Sequence, residues 1–130
     1  MQIFTIKTDQ PQAEIGLYDD DRQLAYMTWP AHRELAETIE RQIDKLLDSQ
    51  HQNRQAIKAI IVYQGPGSFT GLRIGISVAN AMAYSLGIPI VASQHQDWIE
   101  KGIASLQAGN NDLQVVPFYG AEPHITPPTK

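Results

Sequence analysis

The sequence of 130 residues contains no cysteine, which excludes disulfides and thiolate metal sites. It has no apolar run near the ~20 residues that a membrane-crossing helix needs, and no secretory leader pattern, so a soluble cytoplasmic protein is expected. Positive charge is also scarce. Ten Lys and Arg stand against fourteen Asp and Glu, a net charge of -4. Phosphate backbones are bound mainly by Lys and Arg, so any contact with RNA is expected to pass through a partner. The catalytic signatures are missing as well: there is no G-x-x-x-x-G-K-[ST], no G-x-G-x-x-G, and no H-E-x-x-H. His32, His51, His95 and His124 are scattered, and Ser68 lies outside any G-x-S-x-G and has no base assignable to it.

What is present is the material for one domain, with 42% apolar residues. Residues 1–7 alternate apolar and polar, as in a half-buried strand; 13–18 and 23–28 flank Asp19, Asp20 and Asp21 and read as a hairpin. The three aspartates suit a polar turn, with a metal site as the other reading. From 33 to 49, Leu35, Ile39, Ile43 and Leu46 recur at helical spacing, which predicts an amphipathic helix. Residues 58–63 form a β-branched apolar run, the pattern of a strand covered on both faces. A second helix is predicted over 71–86, opened by Thr70 and closed by Gly87 with Pro89 beyond, and 88–92 is another buried strand. Strand, helix, strand in that order implies a right-handed parallel crossover. A weaker helix is expected over 96–106. After a linker come 113–117, a short strand or extended piece, and a tail whose Pro117, Pro123, Pro127 and Pro128 cannot continue a helix.

The loop Gly65, Pro66, Gly67, Ser68, Phe69, Thr70 and Gly71 sits between a buried strand and a helix N-terminus, where free amides and the helix dipole attract anions. It reads either as a phosphate loop or as a structural turn in which Gly65 and Gly67 serve backbone conformation, at least one at positive φ. In the helix that follows, Gly71, Gly75, Ala79 and Ala83 make a stripe of small residues. Leu72, Ile74, Ile76, Val78, Ala81 and Met82 cover most of the rest. A helix apolar nearly all round is buried on more than one side, against either the first helix or another protein. Arg73, in the first turn, opposes the dipole and marks either a contact or a surface salt bridge.

The run GPGSFTGLRIGI at 65–76, followed by Gly87, Ile88, Pro89, Ile90 and Val91, resembles the signature of the TsaB (YeaZ) family. The helix residues Leu35, Ala36, Glu37, Thr38 and Ile39 through Ile43 to Leu47 are similar as well, with Leu35 where the family usually has His. The resemblance covers the first hundred residues, the family's first actin-like (ASKHA) subdomain. It resumes in the tail, where Pro117, Tyr119 and Pro123 match a P-x-Y-x-R-x-P ending with Ala121 in place of Arg. It implies a natural short form lacking the second subdomain. Two departures weigh against catalysis: Lys7 precedes Thr8, with Asp9 one place late for the Asp-Thr pair of actin-like ATPases, and Gln64 replaces the usual Arg before the loop.

These readings lead to one α/β actin-like, ribonuclease H-like domain over 1–108, a mixed five-stranded sheet with two main helices, then a linker and extended tail over 109–130. The resemblance implies a non-catalytic scaffold, with no metal or cofactor of its own, that supports threonylcarbamoyl transfer to adenosine of tRNA. Its expected partner is TsaD, the catalytic subunit, with TsaE beside it and a homodimer when TsaD is absent. The interface expected is the two helices, through Leu35, Ile39, Ile43, Gly71, Leu72, Arg73, Gly75, Ile76, Ala79, Met82 and Ala83. The alternative is a small phosphate- or nucleotide-binding enzyme using the 65–71 loop.

Overall fold

A computed structural model of the chain describes residues 1–120. Strands β1 (Gln2–Lys7), β2 (Gln12–Asp19) and β3 (Arg22–Pro30) form an antiparallel meander, β2 and β3 joined by a turn at Asp20, whose φ is 54°. The amino group of Met1 takes both Asp19 and Asp20 at 3.2 Å, so two carboxylates of the acidic triplet are engaged in a terminal ion pair. Helix α1 (Leu35–Asp48) returns to β4 (Ala59–Tyr63), helix α2 (Phe69–Leu86) to β5 (Ile90–Ser93), and α3 (Trp98–Gln107) follows. The sheet order is β3-β2-β1-β4-β5, with β4 and β5 parallel to β1. This is the mixed five-stranded α/β sheet expected from the sequence, with a third helix in addition to the two principal ones.

The pleat decides what each helix covers. Ile6 and Ile15 pair across β1 and β2, as do Phe4 and Leu17, and Ala13 pairs with Trp29, whose indole donates to Thr38 of α1. That face, with Thr8 at the end of β1, meets α1 and α2. The opposite face carries Ile3, Thr5, Gly16, Tyr18, Tyr26 and Ile61, and α3 presses its Gly102 onto Ile61. Trp98, Ile103 and Leu106 are buried beneath α3, which accounts for a helix whose sequence pattern is weak. Both faces of β4 are therefore covered, and all five of its residues are buried.

Beyond α3 the chain is tied back to the domain. Asp112 donates its amide to Ile90, and the side chains of Asn111 and Asp112 accept from the Ile90 and Ala92 amides on the open edge of β5. Asn80 of α2 then grips Val115, accepting from its amide and donating to its carbonyl, both at 2.9 Å. Val115 is buried. Phe118 and Tyr119 also contact the domain, through the Phe118 amide to Gln64 and through Tyr119 against Phe69, but their side chains stay about 40% exposed. Ala121, Pro123, His124, Pro127 and Pro128 of the tail fall outside the described residues.

Candidate partner interface

The loop after β4 is a brace between that strand, β1 and α2. Gly65 has φ 130°, and a side chain there would meet the Phe118 carbonyl; a side chain at Gly67 would meet Asp9. Both glycines therefore serve the backbone, one through its φ and one through close approach. The bond from Gly65 to Pro66 is cis. Helix α2 begins at Phe69, with Ser68 as its cap accepting from the Gly71 amide, two residues before the expected Thr70. Gly87 closes it in the left-handed region.

Three of the amides at the start of this helix are already used. Ser68 donates to the Asp9 carbonyl, Gly71 to the Ser68 hydroxyl, and Leu72 to the Ser68 carbonyl. The buried Asp9 carboxylate accepts from Lys7 at 2.6 Å, and the Lys7 ammonium lies 4.7 Å over the Tyr63 ring. The Lys7 and Asp9 offset noted in the sequence is thus an internal ion pair beside the loop.

The small-residue stripe needs a correction. A side chain at Gly71 would meet the Thr8 carbonyl, one at Gly75 would meet the Thr8 side chain, and Thr8 donates to the Gly71 carbonyl at 2.8 Å. The stripe exists so that α2 can lie on the end of β1. Gly75, Ala79 and Ala83 are buried there, with Leu72, Ile76 and Met82, while Leu35, Ile39 and Ile43 of α1 face the same core. These residues belong to the chain's own core, and of them Leu35 and Met82 also line hollows on the α1 side of α2. Of the expected interface only Arg73 is exposed, with Gly71 half-buried.

What α2 turns outward is a different set. Thr70, Ile74, Val78 and Ala81 run along the flank facing α1, and Phe69, Arg73 and Tyr84 lie beside them. Phe69 is 56% exposed and Tyr84 91%. Arg73 finds no carboxylate within ion-pair distance among the described residues; its guanidinium sits 5.2 Å over the Phe69 ring, which in turn meets Tyr119 at 4.7 Å. Three adjoining hollows make this flank a groove. The first, about 480 Å³, lies between Pro11, the turn His32–Glu34 and the start of α2. The second shares Thr70 and Ile74 with it, and the third runs from Val78 to Leu86. Arg54, held by Glu40 at 2.8 Å and Asp44 at 3.1 Å, forms the far rim. The sequence marks Ile74, Val78 and Ala81 as apolar, at i, i+4 and i+7, but does not say which stripe faces in.

Comparison with known proteins bears on the family and the fold. Residues 30–114 match the family model of TsaD, tRNA N6-adenosine threonylcarbamoyltransferase. The tRNA threonylcarbamoyladenosine biosynthesis protein TsaB of Bacillus subtilis is 34% identical over 93 residues, which cover 71% of this chain and 40% of that protein. The solved structure of YeaZ from Pseudomonas aeruginosa superposes with a TM-score of 0.65 at 28% identity, over 83% of this chain and 50% of that one. Thermus thermophilus RuvC, at 15% identity and a TM-score of 0.52, covering 84% of this chain and 77% of its own, shares the fold alone. The chain thus spans half or less of the length of its TsaB and YeaZ relatives. The family model spans well over half of the chain, and the chain belongs to that TsaD family, with TsaB and YeaZ among the proteins it is similar to.

Proposed function

We propose that the chain is a non-catalytic binding subunit that holds TsaD through the outward flank of α2 and the adjoining edge of α1, supporting threonylcarbamoyl transfer to adenosine of tRNA in the cytoplasm. The observation that carries this reading is the groove along α2. It is apolar at Ile74, Val78 and Ala81, rimmed by Arg73 and Arg54, and left open by every described element of the chain. An apolar strip of this length on a protein surface marks a place where another surface docks, and a helix laid into it would present anchors at i, i+4 and i+7. In the absence of TsaD the same groove pairs two copies about a two-fold axis, and TsaE joins the assembly through TsaD.

The rival reading, a phosphate- or nucleotide-binding enzyme, has less support. The loop amides at Ser68, Gly71 and Leu72 are satisfied within the chain, and the Cβ and backbone of Asp9 crowd Gly67, where a phosphate would have to sit. Calorimetric titration of the chain with ATP and with TsaD of the same host separates the two. Binding to TsaD without measurable binding of ATP is expected, whereas sub-millimolar ATP binding with no response to TsaD would reverse the assignment.

A further inference from the structure

The opposite face of the sheet carries a cleft separate from the proposed interface. Between the β2–β3 hairpin and α3 lies a cleft of about 520 Å³ walled by Tyr18, Tyr26 and Trp98, with Asp21 at the hairpin turn and Glu100 in the first turn of α3 on its rim. The aromatic walls are firmly set. Trp98 is packed edge-on against Tyr63 at 5.8 Å, the Tyr18 hydroxyl donates to Gln23 at 3.0 Å, and the Tyr26 hydroxyl donates to Glu14 at 2.6 Å. No Lys, Arg or His lines the cleft, and neither Asp21 nor Glu100 has an ion-pair partner among the described residues. The nearby cations are engaged elsewhere: Lys7 with Asp9, Arg22 with Asp19, and Lys101 with Asp97.

Aromatic rings attract cations through their quadrupole, and carboxylates at the mouth of an aromatic cleft add a field of the same sign. The geometry points to a binding site for a small free organic cation, an alkylammonium or quaternary ammonium compound, whose apolar body enters among Tyr18, Tyr26 and Trp98 while Asp21 and Glu100 balance its charge. Burial, with the Glu100 charge adding to it, raises the Tyr18 phenol above its ordinary range, so this carboxylate acts on the cleft wall. An anion would meet two carboxylates there and nothing to balance it.

The chain carries its own control for the test. Of its two tryptophans, Trp98 lines the cleft and Trp29 lies on the other face with its indole bound to Thr38. In an NMR titration with choline, the Trp98 indole resonance is expected to shift saturably while that of Trp29 stays in place. The neutral isostere 3,3-dimethylbutanol should bind at least about tenfold more weakly. Asp21→Asn with Glu100→Gln, both exposed positions, should weaken choline about tenfold, the sum of two modest surface charge interactions. Equal response to the neutral isostere, undiminished affinity in the double variant, or parallel shifts of both indoles would each overturn the site.

Discussion

Gly75 and Thr8 are distant in sequence and touch in the fold, so substitution at either is a test of packing. Gly75→Leu drives a side chain into the space held by Thr8, and overpacking of this kind costs roughly 1 to 3 kcal/mol or more. Thermal denaturation should show a clearly lowered melting temperature; an unchanged one would return the small-residue stripe to the surface. Gly65→Ala meets both an unfavourable φ and the Phe118 carbonyl, and should cost more than about 1 kcal/mol. The buried phenols set an alkaline limit. Burial pushes Tyr18, Tyr26 and Tyr63 above their ordinary value of 10.0, with Glu14 adding to the shift at Tyr26. A folded-state pKa above the unfolded one favours the protonated form in the native protein. The stabilisation is therefore complete below the unfolded value and is lost as pH rises through the folded ones. Stability measured by urea unfolding should fall above pH 10, and less steeply in Tyr26→Phe.

At the scale of elements, the segment at 111–119 acts as a clasp over β5 and α2. Asn80→Ala removes two hydrogen bonds to the Val115 backbone and should lower stability by about 1 to 3 kcal/mol. Truncation after Asn110 removes these bonds, the caps on the β5 edge and the buried Val115. It should lower the melting temperature much more than truncation after Pro117, which removes the half-exposed aromatics at 118 and 119. Equal losses would make the aromatics the true anchor. The main elements were legible because their apolar periods are local: β4 reads as a buried run, and α2 is bounded by a cap and a left-handed Gly87. The orientation of α2 was not. A stripe of small residues states that something approaches closely, but Thr8 as the neighbour is a non-local fact. The helix cap moved from Thr70 to Ser68 because the exposed Phe69 carries no periodic signal of helix. The clasp was equally hidden, since polar Asn80, Asn111 and Asp112 bind backbone rather than follow a hydrophobic pattern.

On the scale of the whole molecule, one sheet separates two surfaces. The groove along α2 is the proposed seat of a protein partner, and the cleft under α3 that of a small cation. Variants on one side should leave the other unaffected, because no element described here lines both. The groove carries the central claim, and the affinity for TsaD measured by calorimetry with the native chain, Val78→Glu and Tyr84→Ala tests it most directly. Circular dichroism verifies that each variant is folded. Interface anchors commonly cost about 2 kcal/mol or more when lost, roughly thirtyfold in affinity. The account predicts at least that loss for Val78→Glu and a measurable loss for Tyr84→Ala; folded variants that bind TsaD as tightly as the native chain would contradict it.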